Sequence, residues 1–88
     1  MMELHVGDVV YSRAGRDQGR YFLVIELVDE QYVLITDGKL RRLEAPKRKK
    51  VKHLKALPPQ DLRICEKVRN GEKLTNSEIR REMASLSE

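Results

Sequence analysis

The sequence predicts a mainly β fold, a small closed barrel of five strands, followed by two short α-helices. Three observations carry that expectation. Short β-branched and aromatic stretches, separated by glycine-rich or acidic turns, crowd the first 57 residues. The chain changes character at Leu57, Pro58 and Pro59. Beyond that point apolar residues recur at helical spacing. At 88 residues the chain reads as one compact domain, with residues 1–57 as the barrel and 58–88 as a helical hairpin packed on or beside it. A domain of this size buries only about 60 to 70% of the surface its unfolded chain exposes, so the core must be modest.

The first strand is expected in Asp8 to Ser12, after Gly7, with a charged loop bounded by Gly15 and Gly19 behind it. Residues 21–28, YFLVIELV, form the most apolar run. Alternation puts Tyr21, Leu23, Ile25 and Leu27 on one face and Phe22, Val24, Glu26 and Val28 on the other, and β-branching favours a strand. Asp29 and Glu30 suit a two-residue hairpin into QYVLIT, residues 31–36. Asp37 and Gly38 signal a second tight turn, since glycine adopts the positive φ that such turns require. KLRRLE is then expected as the returning strand, Lys47 to Lys50 as a loop or sheet edge after Pro46, and VKHL, residues 51–54, as the last strand.

In the helical part, Pro58 or Pro59 can open a helix of about ten residues with Leu62, Cys65 and Val68 on one side, stopped by Asn70 and Gly71. Thr75 and Glu78 in TNSE fit a capping box, and Ile79, Met83 and Leu86 mark the apolar stripe of a second helix.

Charge narrows the function. Residues 39–55 hold nine Lys/Arg and one Glu, whereas residues 1–38 hold three basic and seven acidic residues, and residues 56–88 six of each. The excess therefore comes from one segment, and like charge concentrated on a folded domain attracts polyanions. Lys39, Arg41, Arg42, Lys47, Arg48, Lys49, Lys50, Lys52 and Lys55 are the candidate RNA contacts, with Arg13, Arg16 and Arg20 of the glycine-bounded loop beside them. Arg41 and Arg42, if held on a strand, suit bidentate phosphate contacts, while the lysines act as mobile point charges. The alternative reading of such a run is a solvated edge that keeps the domain soluble. Tyr11, Tyr21 and Tyr32 are candidate stacking platforms, although strand tyrosines more often pack at a rim, so recognition by shape and phosphate is expected.

Other classes find little support. No run of about 20 apolar residues occurs, so no membrane partner is expected. Residues 1–8 carry two acids and no basic or apolar leader pattern, and the cytoplasm is the expected location. His5, His53 and Cys65 are too scattered for a zinc site. No metal, cofactor or catalytic residue is expected, because no nucleophile has a neighbouring base and no phosphate-cradling glycine loop is present.

The segment VGDVVYSRAGRDQGRYFLVIELV resembles the KOW motif of ribosomal proteins and of elongation factors of the NusG type, through Gly7, Val9, Tyr11, Gly15, Arg16, Gly19, Arg20 and the apolar run from Leu23. YVLITDGKLRRLEAPKRKKVKHL is similar to the second half of the KOW domain in the ribosomal protein L14e family, above all to its short form in Gram-positive bacteria, and NGEKLTNSEIR extends the likeness into the helices. The resemblance implies an SH3-like barrel that binds ribosomal or other structured RNA, with Gly15 and Gly19 shaping the KOW loop. Phe22 stands where many KOW motifs place another glycine, which implies packing there instead of close backbone approach. The resemblance carries no permanent place in a ribosome, because the long basic C-terminal extension of the eukaryotic relatives is missing. A second reading is a protein-interaction module, using the barrel or the helices, including Arg80 and Arg81, to dock a ribosomal or transcription-machinery partner.

Overall fold

A computed structural model describes residues 3–87, so Met1 and Met2 of the leader reading lie outside the described residues. Five antiparallel strands form one sheet in the order β4-β3-β2-β1-β5, with β1 at Val9–Ser12, β2 at Tyr21–Leu27, β3 at Tyr32–Thr36, β4 at Lys47–Lys50 and β5 at Leu54–Ala56. Two helices follow, α1 at Arg63–Arg69 and α2 at Asn76–Ala84. The mainly β class with two short helices is as predicted.

Closure is not. The strands β4 and β5 lie at opposite edges of the sheet and do not pair. A 3-10 turn, Val51–His53, joins them. Its backbone bonds go elsewhere: Val51 N donates to Gln31 O at 2.8 Å and His53 O accepts from Arg13 N at 2.8 Å. Four residues of chain reach at most about 14 Å, and a flat five-stranded sheet would hold its edge strands about 19 Å apart. The sheet must therefore curl, as in an SH3-like fold, without a closing ladder.

Both faces of the sheet are covered. Leu4, Val10, Phe22, Val24, Val33, Ile35 and Leu54 fill the concave side. Val9 and Leu23 face the helices, against Ile64, Cys65, Ile79 and Met83. Phe22 is fully buried, in keeping with packing in place of a close backbone approach. The simple alternation expected for β2 fails at one point: Val24 pairs with Ile35 but Glu26 pairs with Leu34, so one residue of β2 is extra. This bulge takes Glu26 out of line with buried Val24, where the charge would be costly.

The largest departure lies in residues 37–50. KLRRLE does not return as a strand, and KRKK, expected as a loop or edge, forms β4 at the sheet edge. Asp37 Oδ1 accepts from the N–H groups of Lys39 and Arg41, both at 2.9 Å, which keeps the chain turning. Asn76 of α2 then draws the segment outward, accepting from Leu43 N at 2.8 Å through Oδ1 and donating to Glu44. Gly38 has φ +75°, and a Cβ there would lie 2.4 Å from Asn76 O, so the turn abuts the helix backbone. VKHL is likewise mostly the 3-10 turn, with only Leu54 in β5.

The first helix begins later than the prolines suggest. Its N-cap is Leu62, which offers no side-chain acceptor, and Ile64 N donates instead to Glu82 Oε1 of α2 at 3.1 Å. The capping box of α2 forms as expected, with Thr75 accepting from Glu78 N and Glu78 reaching back to Thr75 N at 2.8 Å. Glu78 also joins the helices through Lys67 Nζ at 2.7 Å, and these donors, Lys67 first, hold its carboxyl below the ordinary range.

Candidate nucleic-acid interface

Two short segments meet at one end of the sheet. The loop of residues 13–20 leaves β1 and is closed at its base by Ser12 N to Arg20 O and Gly19 N to Ser12 O, both 2.9 Å. Gly15 and Gly19 have φ of +80° and +88°, a region that L side chains rarely adopt. Arg13 ties this loop to the 3-10 turn, because its Nη2 donates to Lys52 O at 3.0 Å in addition to the backbone bond with His53. Arg13, Arg16 and Arg20 remain exposed.

The lysine-rich segment from β4 through the turn to β5 divides by strand alternation. Register places Lys49 opposite Val33 and Lys47 opposite Ile35, on the concave side, and Arg48 opposite Leu34 and Lys50 opposite Tyr32, on the outer side. Lys49 is only 8% exposed, and its Nζ donates to Ala14 O at 2.9 Å. A Cβ at Gly15 would stand 3.1 Å from that same Nζ. Lys49 thus passes its alkyl stem beside the core and fastens the loop from beneath. Arg48 is exposed and lies over the Tyr32 ring, 4.6 Å from its centre. Lys52 and Lys55 are also exposed, and Lys50 is partly so.

Arg41, expected on a strand facing RNA, lies in the turn segment, and its Nη2 donates to Asp17 at 3.1 and 3.3 Å. Asp17 is 4% exposed, so this is a second fastening of the loop. The Nε of Arg41 is buried without a hydrogen-bond partner. Arg42 sits 3.5 Å from Glu44 on the surface. Apart from Arg41 and Arg42, no basic residue of segments 13–20 and 39–55 is within ion-pair distance of a carboxylate among the described residues.

The field shows in His53. Burial first, then the charges of Lys52, Lys49, Lys50 and Arg13, push its imidazole below the ordinary pKa. Tyr11 and Tyr21 pack on each other, with ring centres 5.4 Å apart and planes at 59°. Among the described residues no His/Cys/Asp/Glu group could hold a metal, and no helix is long and apolar enough to cross a membrane.

No family model matches the chain. Curated relatives do, and each is named large ribosomal subunit protein eL14. The protein of Desulfurococcus amylolyticus is 34% identical over 64 residues, which is 73% of this chain and 64% of the relative. That of Pyrobaculum arsenaticum is 38% identical over 61 residues, 69% of this chain and 56% of the relative. That of Staphylothermus marinus is 33% identical over 57 residues, 65% and 59% respectively. This is an L14e-like chain. It spans about 56 to 64% of the length of these relatives.

Sequence reasoning did not find the inward roles of Asp17, Arg41 and Lys49 in the L14e-like fold. One signal for them was present: Asp17 is the lone acid in a loop with three arginines, and a lone acid among cations is a natural anchor. Nor does the sequence, which offers Arg80 only as a docking residue, mark the bond that its Nη1 donates to Gly38 O at 2.9 Å across 42 positions.

Proposed function

We propose that this protein is a non-enzymatic ribosome-associated module of the cytoplasm that binds structured ribosomal RNA through phosphate contacts. The basic strand, 3-10 turn and short strand of residues 47–56 supply most of the charge, and Arg13, Arg16 and Arg20 extend it. The observation that carries this reading is the set of exposed cations without carboxylate partners, gathered where Arg13 joins the two segments. Such a surface repels itself until phosphates approach, and each Lys or Arg that meets one releases condensed counterions. The naming of the archaeal relatives as ribosomal proteins supports ribosomal RNA as the target. These names give no support to a transcription partner.

Lys49 and Arg41 take a different part in this reading. They hold the loop in place, and direct phosphate contact falls to Arg48, Lys50, Lys52 and Lys55. Ultraviolet crosslinking of the tagged protein in its own cells, with the attached RNA sequenced, tests the proposal. A sharp peak on one ribosomal RNA helix is the expected result. Diffuse or absent crosslinks would overturn it.

A further inference from the structure

Beside this basic end lies a groove of about 510 Å³, walled by the KOW loop, the Asp37-Gly38 turn and the C-terminal half of α2. Its volume falls in the range of small-ligand sites, about 300 to 1,000 Å³. Arg20, Lys39 and Arg80 reach it from three different elements, while Tyr21, Met83 and Ala84 give it an apolar side. None of the three cations is within ion-pair distance of a carboxylate among the described residues. The one acid of the lining, Asp37, has Oδ1 occupied by two backbone N–H groups.

We propose that this groove receives a single unpaired nucleotide of the RNA, its base against Tyr21 and Met83 and its phosphate among Arg20, Lys39 and Arg80. The inference rests on the RNA-binding reading above and deepens it, because phosphate attraction alone does not distinguish duplex from loop. Two features select the occupant. Three unpaired cations call for an anion, and an aromatic and thioether side calls for a flat apolar body; an unstacked nucleotide carries both on one residue. Folded RNA presents such nucleotides at loops and bulges. The tilted contact with Tyr11 braces Tyr21 from one side, so the ring enters the complex with little freedom left to lose. Arg80 is similarly held by its bond to Gly38 O, with the rest of its guanidinium without a partner among the described residues. The surface that recognises unpaired RNA therefore includes a helix, where Arg80 was expected to serve a protein partner.

The test compares two labelled RNAs with the full chain: a hairpin with an unpaired loop, and a perfectly paired duplex of the same nucleotide count. Ala84→Leu fills the groove at an exposed position without changing charge, and Lys39→Gln removes a cation that makes no side-chain bond. Circular dichroism melts check that both variants fold. We expect Ala84→Leu to weaken hairpin binding about fivefold or more, and to leave duplex binding within about twofold. Lys39→Gln should weaken the hairpin more than the duplex. Equal losses on both RNAs, or no loss, would sink the groove while leaving the RNA-binding reading intact. A wild-type chain that binds neither RNA would sink both. Binding of the folded chain to a polyglutamate peptide in preference to the hairpin would assign the groove to an acidic protein.

Discussion

Adjacent residues of one lysine run do opposite things. Lys49 turns inward, nearly buried, to Ala14 O, whereas Arg48 and Lys50 on either side of it stand on the outer face of the sheet. The same contrast separates Arg41, fixed on Asp17, from exposed Arg42. A run of like charge is thus two populations. One builds the loop and the other surrounds it; in β4 strand alternation decides which residue joins which, and in the turn the bond to Asp17 does.

Substitutions separate the two. The largest effect is expected at Lys49→Glu, which loses the bond to Ala14 O and places a carboxylate beside the core. Stability should fall by about 3 to 5 kcal/mol in urea unfolding, and a loss under about 1 kcal/mol would contradict the inward role. The complementary variant, Arg48→Glu with Lys50→Glu and Lys52→Glu, should leave stability within about 1 kcal/mol, since surface changes cost little. Its affinity for ribosomal RNA should drop about 100-fold, and the slope of log K against log salt should shrink by about 2 to 3 from a wild-type value of roughly −3 to −5. Retained binding in this triple variant would move the interface elsewhere. A smaller loss of stability, about 2 kcal/mol, is expected for Asp17→Asn, which leaves Arg41 without its carboxylate. Amide exchange in residues 13–20 should rise with it, and an unchanged loop would mean that Lys49 suffices as the anchor.

The smallest effect concerns His53. Its pKa lies below the ordinary value in the free protein, so the folded state resists the proton that the unfolded chain accepts. Stability from this group is therefore full above the unfolded pKa and is lost as pH falls through the lowered folded one. RNA phosphates that neutralise Lys50 and Lys52 should raise the imidazole pKa, and RNA binding should tighten as pH falls from 7 toward 6. Titration of the His53 ring by NMR, with and without RNA, checks this; an unmoved pKa would put the phosphates away from the turn.

What was legible in the sequence followed from local physics. The apolar alternation of β2 up to its bulge, the positive φ at Gly38 and the reciprocal bonds of Thr75 and Glu78 each depend on residues within a few positions. What was missed depends on distant ones. Nothing near KLRRLE announces that Asn76 will take Leu43 N, and nothing near Pro58 announces that Glu82 will serve Ile64 N. The basic segment was visible as composition, yet its division into inward and outward cations needed the register of β4 on β3. KRKK looks too charged for a strand with one face on a core. The long aliphatic stem of lysine resolves that conflict by letting the chain carry its charge past the core to a carbonyl at the far side.

The 3-10 turn at Val51–His53 also bears on how an open strand edge is covered. Strand β1 lies between β2 and β5, and its outer edge is covered only when residues 54–56 arrive. Until then a growing chain carries β1 and β2 with an open row of backbone donors and acceptors, the arrangement most prone to unwanted strand addition. A three-residue connection leaves β5 almost no freedom to wander once β4 has docked on β3, so capture of the vulnerable edge becomes nearly a local event. The shortest of the described strands thus replaces a longer open edge with a three-residue one, which offers less to a stray strand.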